Sequence, residues 1–243
     1  MVGEYKNVAH DLKKKVIMSS TAKWLRSVAA GFGAFGLGGA AAAQEAPTTK
    51  VPIAGPVDID GERAKLRVVV RNAGYSKQRN TILQQGNNDD VGIVAISYSR
   101  ELELVLVSDE PMTSKVLDTR KLSALGLSLD QAMALGRRQV LAGLPAIPAN
   151  TDIDESVITT PNIDYIASLI LAEGWDALNV SVGGNLVVAI PSDDVIIITS
   201  AVNESARADL RAYVKNAYDN ANRSVSSSLY IRKNGKWVED DTF

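Results

Sequence analysis

Asp193 and Asp194 stand side by side between two apolar runs, 186–190 and 195–199. Adjacent carboxylates beside a buried strand can bind a divalent cation or hold one proton between them for general acid–base work. The same pair reads equally well as hairpin-turn chemistry, with Asp194 accepting from backbone amides and both side chains solvated. Asp58, Asp60, Gly61 and Glu62 have the opening of a calcium loop without the distal bidentate Glu, so a plain turn is expected there. Asp152, Asp154 and Glu155 form an acidic loop among prolines that either coordinates calcium or is simply exposed. None of these groups makes a metal centre by its spacing, and no cofactor is expected.

Ser168 has no Lys at Ser-x-x-Lys spacing, which makes it a small core residue rather than a nucleophile. Trp175 and Trp237 either stack a sugar or peptide or pack in the core and a hairpin. Arg137, Arg138, Arg207, Arg211 and Lys215 place cations on helices, where they serve an anionic cell-surface polymer or form a solvated face.

The missing residue types narrow the chemistry further. The 243 residues contain no Cys and a single His, His10. Without imidazole or thiolate beyond residue 43, the chain cannot build a Ser-His-Asp triad, a Cys-His pair or a zinc site with those ligands. There is no G-x-x-x-x-G-K-[ST] loop and no G-x-G-x-x-G after a strand. Enzymology is left with carboxylates, Ser–Lys pairs, Tyr and hard-metal sites, and the balance leans away from an enzyme.

The start of the chain carries a location. Lys23 and Arg26 precede an uncharged stretch, 27–43, that ends with Ala41 and Ala43 placed for signal peptidase. Its Gly- and Ala-rich composition makes a poor spanning helix. Residues 1–43 are therefore expected to be an N-terminal extension and cleavable signal, with translation starting at Met1 or Met18. The product is expected to be exported, either periplasmic or secreted, with no membrane span after cleavage. Removal takes away six basic and two acidic residues, leaving 20 against 26 and a net charge of −6. Such a chain has no basic excess for a phosphate backbone, so nucleic acid is not expected as a partner. Residues 44–56, with Pro47, Pro52 and Pro56, read as an extended tether, and 57–243 as one folded domain.

Within that domain, 66–70 reads as a first strand and 72–90 as a long loop or weak helix. Residues 92–97 and 102–107 suit an antiparallel hairpin. Asp118 or Thr119 caps a short helix ended by Gly126, and Ser128 with Gln131 signals a capping box for a second helix running to about 141. A short strand is expected at 156–159, an apolar run at 163–171 and a short helix around Trp175. The uninterrupted Val–Ile composition of 195–199 implies a central strand buried on both faces. Asn203 caps a longer helix, 204–220, and Asn234-Gly235 joins the last two strands as a hairpin. Strand runs broken by helix runs give an α+β class, with mainly antiparallel sheet, several short helices and one longer helix near the C-terminus.

Three stretches carry a family resemblance. They are Leu102-Glu103-Leu104-Val105-Leu106-Val107 with the two helices after it, Tyr165-Ile166-Ala167-Ser168 followed by Trp175, and Val188-Ala189-Ile190-Pro191-Ser192-Asp193-Asp194-Val195. Over roughly 102–237 the chain resembles the YtpQ-like proteins, domain of unknown function 1444, with Tyr165, Ser168, Trp175 and Pro191 as family-like punctuation. That resemblance implies no activity, and it departs at the signal and tether. The functional expectation is a non-catalytic binding domain of the bacterial cell envelope whose partner is a protein or an envelope component. The alternative is a carboxylate-dependent hydrolase of envelope polymers using Asp193 and Asp194. The sequence carries no signal for an oligomeric state.

Overall fold

A computed structural model describes residues 58–85, 91–111, 113–149, 153, 164–200 and 203–241. The expected signal (1–43), the tether (44–56), the acidic residues Asp152, Asp154 and Glu155, and the strand expected at 156–159 lie outside the described residues. Among the described residues, eight strands form two antiparallel sheets, interspersed with helices, which is the α+β class expected.

The first sheet contains β1 (Leu66–Asn72), β2 (Ala95–Ser97), β3 (Leu102–Glu110) and β4 (Thr113–Val116). β3 pairs with β1 along one edge and with β2 and then β4 along the other. The second sheet has β5 (Leu186–Ser192), β6 (Val195–Ser200), β7 (Leu229–Lys233) and β8 (Lys236–Glu239), in the order β6-β5-β7-β8. The α-helices are α1 (Ile59–Ala64), α2 (Tyr75–Gln85), α3 (Thr119–Ala124), α4 (Leu129–Ala142), α5 (Trp175–Ser181) and α6 (Glu204–Asp219), and a 3-10 helix covers Ile166–Leu171.

Alternation along each strand divides the apolar residues between layers. Leu66, Val68 and Val70 of β1 enter the main core, which also takes Val188 and Ile190 of β5 and Ile196 and Ile198 of β6. On the opposite face of the first sheet, Val69 packs with Val105 and Val107 beneath Tyr75 of α2. On the opposite face of the second sheet, Val187, Ala189 and Ile197 meet Leu210 and Val214 of α6. This corrects the expectation of a central strand at 195–199. β6 is an edge strand, and its Val–Ile run is buried because the core covers one face and α6 the other.

One other expectation is revised, and for 72–90 the helical alternative holds. Asp58–Glu62 begins a helix rather than a plain turn, with the Asp58 side chain accepting from the Gly61 amide at 3.0 Å. The 72–90 stretch contains the helix α2. The remaining caps fall where expected: Asp118 accepts from the Lys121 amide, Ser128 and Gln131 form a reciprocal capping box, and Asn203 accepts from the Ala206 amide.

β1 is an edge strand whose outward carbonyls are closed by side chains. Its bonds to β3 use the alternate residues in phase with Lys65 and Ala73, as the Asp109 amide to the Lys65 carbonyl (2.9 Å) and the Ala73 amide to the Glu101 carbonyl (2.8 Å) establish. The carbonyls of Leu66, Val68 and Val70 therefore face away from β3. Arg67 Nη1 donates to the first at 2.9 Å, Ser168 Oγ to the second at 3.0 Å and Arg71 Nη1 to the third at 3.1 Å. An edge occupied in this way is a poor template for another strand.

Gly136 lets α4 lie directly on β1. A Cβ there would sit 2.9 Å from Leu106 Cδ1, 3.1 Å from Val68 Cγ2 and 3.2 Å from the Arg67 carbonyl carbon. Gly136→Val is expected to push the helix off the sheet and lower stability by about 1–3 kcal/mol. Urea unfolding checks this, and an unchanged midpoint would contradict it.

Candidate functional site

Pro191 has no amide hydrogen to give the ladder, and the β5–β6 pairing shifts register there: Ala189 pairs with Ile197 and Ser192 with Val195. Ile190 and Pro191 thus stand opposite Ile196 alone, a β-bulge that bends the strand into its turn. The turn residues are Asp193 and Asp194, and the bend sends them to different surroundings. Asp194 is exposed and accepts a hydrogen bond from Ser192 Oγ. Asp193 is 3 % exposed, and its Oδ2 lies 3.2 Å from Arg71 Nη1 and 3.1 Å from Arg223 Nε. Its Oδ1 is buried with no hydrogen-bond partner among the described residues.

Burial pushes the Asp193 carboxyl above its ordinary value, against the pull of Arg71 and Arg223, and the neighbouring Asp194 charge adds to the upward push. A group that holds its proton more tightly in the folded chain loses stability as pH rises from its ordinary range, since the folded state then binds more protons than the unfolded one. The stability of the natural chain relative to Asp193→Asn is therefore expected to be greatest at low pH and to shrink as pH rises. Urea melts of both chains from about pH 3.5 to about pH 7 read this difference. A pH-independent gap would contradict it.

The 3-10 helix adjoins this turn. The Ala167 amide points to the Asp193 carbonyl at 3.4 Å, and Ser168 Oγ is committed to the Val68 carbonyl at 3.0 Å. Ser168 is thus a buried edge cap. Tyr165 precedes the helix in the left-handed region, φ 62°, and its hydroxyl donates to Asp109 Oδ1 at 2.7 Å. Burial first, and then that bond to Asp109, push the phenol up to about 12. The family-like residues Tyr165, Ser168 and Pro191 and the Asp193 turn together form the joint between the two sheets. Trp175 lies elsewhere, in the floor of a cleft.

That cleft, of about 550 Å³, opens between α4, the segment from the 3-10 helix into α5, and the β7–β8 hairpin. Trp175 and Trp237 are 1 % and 4 % exposed, so neither presents a face for stacking, and they pack edge to face with centroids 5.4 Å apart. Their indole N–H groups donate to the carbonyls of Leu169 and Ile170, both at 3.1 Å, which fastens the floor to the 3-10 helix. Arg232 lies over the Trp237 ring at 4.9 Å and grips Asp176 with two bonds of 2.9 Å. Arg137 Nη2 donates to the Leu171 carbonyl. Tyr98 is half-buried at the cleft wall; burial pushes its phenol up, while Arg232 and Arg137 pull it down. Lys236 completes the rim. Among the described residues, neither Arg137 nor Lys236 has a carboxylate within ion-pair distance.

Of the other helix cations, Arg138 is exposed, and three are engaged within the molecule. Arg207 and Arg211 both reach Asp240, Arg211 also reaches Glu204, and Lys215 pairs with Asp219. Sequence reasoning missed Arg71, Arg223, Tyr98, Arg232 and Lys236, which the fold brings to the turn or the cleft. The only signal at that level was the placement of Arg232, Lys236 and Trp237 on the strands of the Asn-Gly hairpin. Among the described residues, no group of three or more His, Cys, Asp or Glu is placed to hold a metal ion, and no helix is long and apolar enough to cross a membrane.

The chain is similar to UPF0354 proteins of Bacillus. It is 28% identical over 151 residues to those of Bacillus cereus (strain AH187) and Bacillus thuringiensis subsp. konkukian (strain 97-27), across 60% of this chain and 52% of each relative. It is 27% identical over 157 residues to the one from Bacillus anthracis. The chain thus spans about half the length of the curated relatives it matches. These matches are distant homology to a family of uncharacterised proteins. No family model matches the chain. No solved structure matches it.

Proposed function

We propose that this chain is an exported binding domain of the bacterial cell envelope, with a protein or an envelope component as its partner, and that it belongs with the YtpQ-like proteins it resembles over 102–237. The support for export is the signal pattern at 18–43. The observation that carries binding over catalysis is the separation of the one promising carboxylate pair: Asp193 is sunk between Arg71 and Arg223, and Asp194 faces solvent. Carboxylates that act together must share a site, and a carboxylate buried between two guanidinium groups is committed to the structure.

The buried, unpartnered Oδ1 of Asp193 is the observation that favours the alternative, a carboxylate-dependent hydrolase of envelope polymers. One experiment separates the two readings: incubation of the full chain with purified bacterial envelope, followed by sedimentation and assay of the supernatant. Binding predicts saturable co-sedimentation without release of soluble fragments, retained by the Asp193→Asn/Asp194→Asn double variant. Release of fragments that disappears in the double variant would establish the hydrolase and end the binding reading.

A further inference from the structure

We infer that the cleft over Trp175 and Trp237 is a site for a ligand that ends in a single carboxylate, such as the free end of a peptide chain. The inference rests on the reading of this chain as a binding domain and names the chemistry of what is bound. Three cations reach the cleft, Arg137, Arg232 and Lys236, against two acids, Glu173 and Asp176. Arg232 is matched by Asp176 through two hydrogen bonds and spends its charge inside the protein. Arg137 and Lys236 have no such match among the described residues. Arg137 is tethered through Nη2 on the Leu171 carbonyl, which holds its guanidinium at the cleft before a ligand arrives. A guanidinium fork suits the planar geometry of a carboxylate, and an exposed ammonium adds a mobile point charge.

The charge balance sets the valence of the ligand. With one cation cancelled by Asp176 and Glu173 standing at the rim, the net charge of the cleft residues is +1, which matches one negative charge and leaves the further charges of a polyanion without a counter-charge. The body of the ligand is then uncharged. Its volume is also bounded: about 550 Å³ falls within the range of about 300–1,000 Å³ usual for small-ligand sites. The closed Trp floor excludes ring stacking as the source of affinity, so the carboxylate supplies the orientation.

Calorimetric titration of the full chain with N-acetyl-tetraalanine, with its C-terminal amide and with acetate tests the assignment. The acid is expected to bind saturably at one site with a Kd below about 1 mM. The amide is expected to bind at least about tenfold more weakly, and Arg137→Gln and Lys236→Glu each to weaken the acid by a similar factor. Lys236 is exposed at the first position of β8, next to the Asn234-Gly235 turn, so its variant keeps the fold and leaves the test readable if Arg137→Gln melts early. Acetate binding as tightly as the peptide would support the carboxylate site and assign it to small acids. Absence of saturable binding by both carboxylates, or equal binding of acid and amide, would overturn the inference. If envelope co-sedimentation survives that failure, the binding-domain reading stands and only the cleft assignment falls.

Discussion

Replacing Trp175 with Ala is expected to lower the stability of the chain by about 3–5 kcal/mol, the range for deleting a fully buried indole. The side chain is 1 % exposed and fills the junction between the start of α5, the 3-10 helix and the β7–β8 hairpin. Its removal leaves a cavity too large for local collapse, deprives the Leu169 carbonyl of its indole donor and takes away the edge-to-face partner of Trp237. Trp175→Phe keeps a ring in the space and loses the N–H, so it is expected to cost less. A double-mutant cycle of Trp175→Leu with Trp237→Leu, each of which deletes one ring, is expected to assign about 0.5–1.5 kcal/mol to the aromatic pair itself. Urea unfolding of the single variants reads the main effect. A loss under about 1 kcal/mol for Trp175→Ala would show that the floor is not packed as described.

Asp240→Ala is expected to cost about 3 kcal/mol, near the lower end for removing one partner from a buried ion pair. The Asp240 side chain is 0 % exposed, and its Oδ2 meets Arg207 Nη1 at 3.1 Å and Arg211 Nη2 at 3.2 Å. Its amide donates to the Leu229 carbonyl at 2.8 Å, so the residue ties the end of β8 to β7 and to the first half of α6. Loss of the carboxylate leaves two guanidinium groups that are only partly solvated without this counter-charge, which sets the size of the effect. Asp240→Asn, which keeps the shape, separates charge from packing. Because the pair is buried, added salt is expected to change the difference little. A difference that vanished at high salt would contradict a buried clasp.

The parts of this fold legible in the sequence are those fixed by local chemistry. Asn234 and Gly235 adopt φ 51° and 72°, the left-handed pair that an Asn-Gly hairpin turn requires, and the strands on either side follow from it. Ser128, Gln131, Asp118 and Asn203 marked their helices because a capping side chain acts within three residues. Elements fixed by distant partners were not legible. β4 has the sequence Thr-Ser-Lys-Val, and it is a strand because β3 runs beside it. Ile166–Leu171 is buried at six consecutive positions, which erases any period that would have shown a 3-10 helix. The same erasure made β6 look central.

The candidate site divides along the same line. The hairpin position of Asp193 and Asp194 was readable from the flanking apolar runs. The burial of one and exposure of the other depend on the bulge at Pro191 and on Arg71 and Arg223, far away in sequence. The edge-capping role of Ser168 likewise depends on the register of β1, which no local pattern reveals.

The proposed export of the chain is tested most directly by the intact mass of the protein recovered after expression of the full chain in a bacterial host, with cytosol and periplasm or medium separated. The expected product begins at Gln44 and is found outside the cytosol. A full-length chain retained in the cytosol would contradict export, and with it the assignment of an envelope partner.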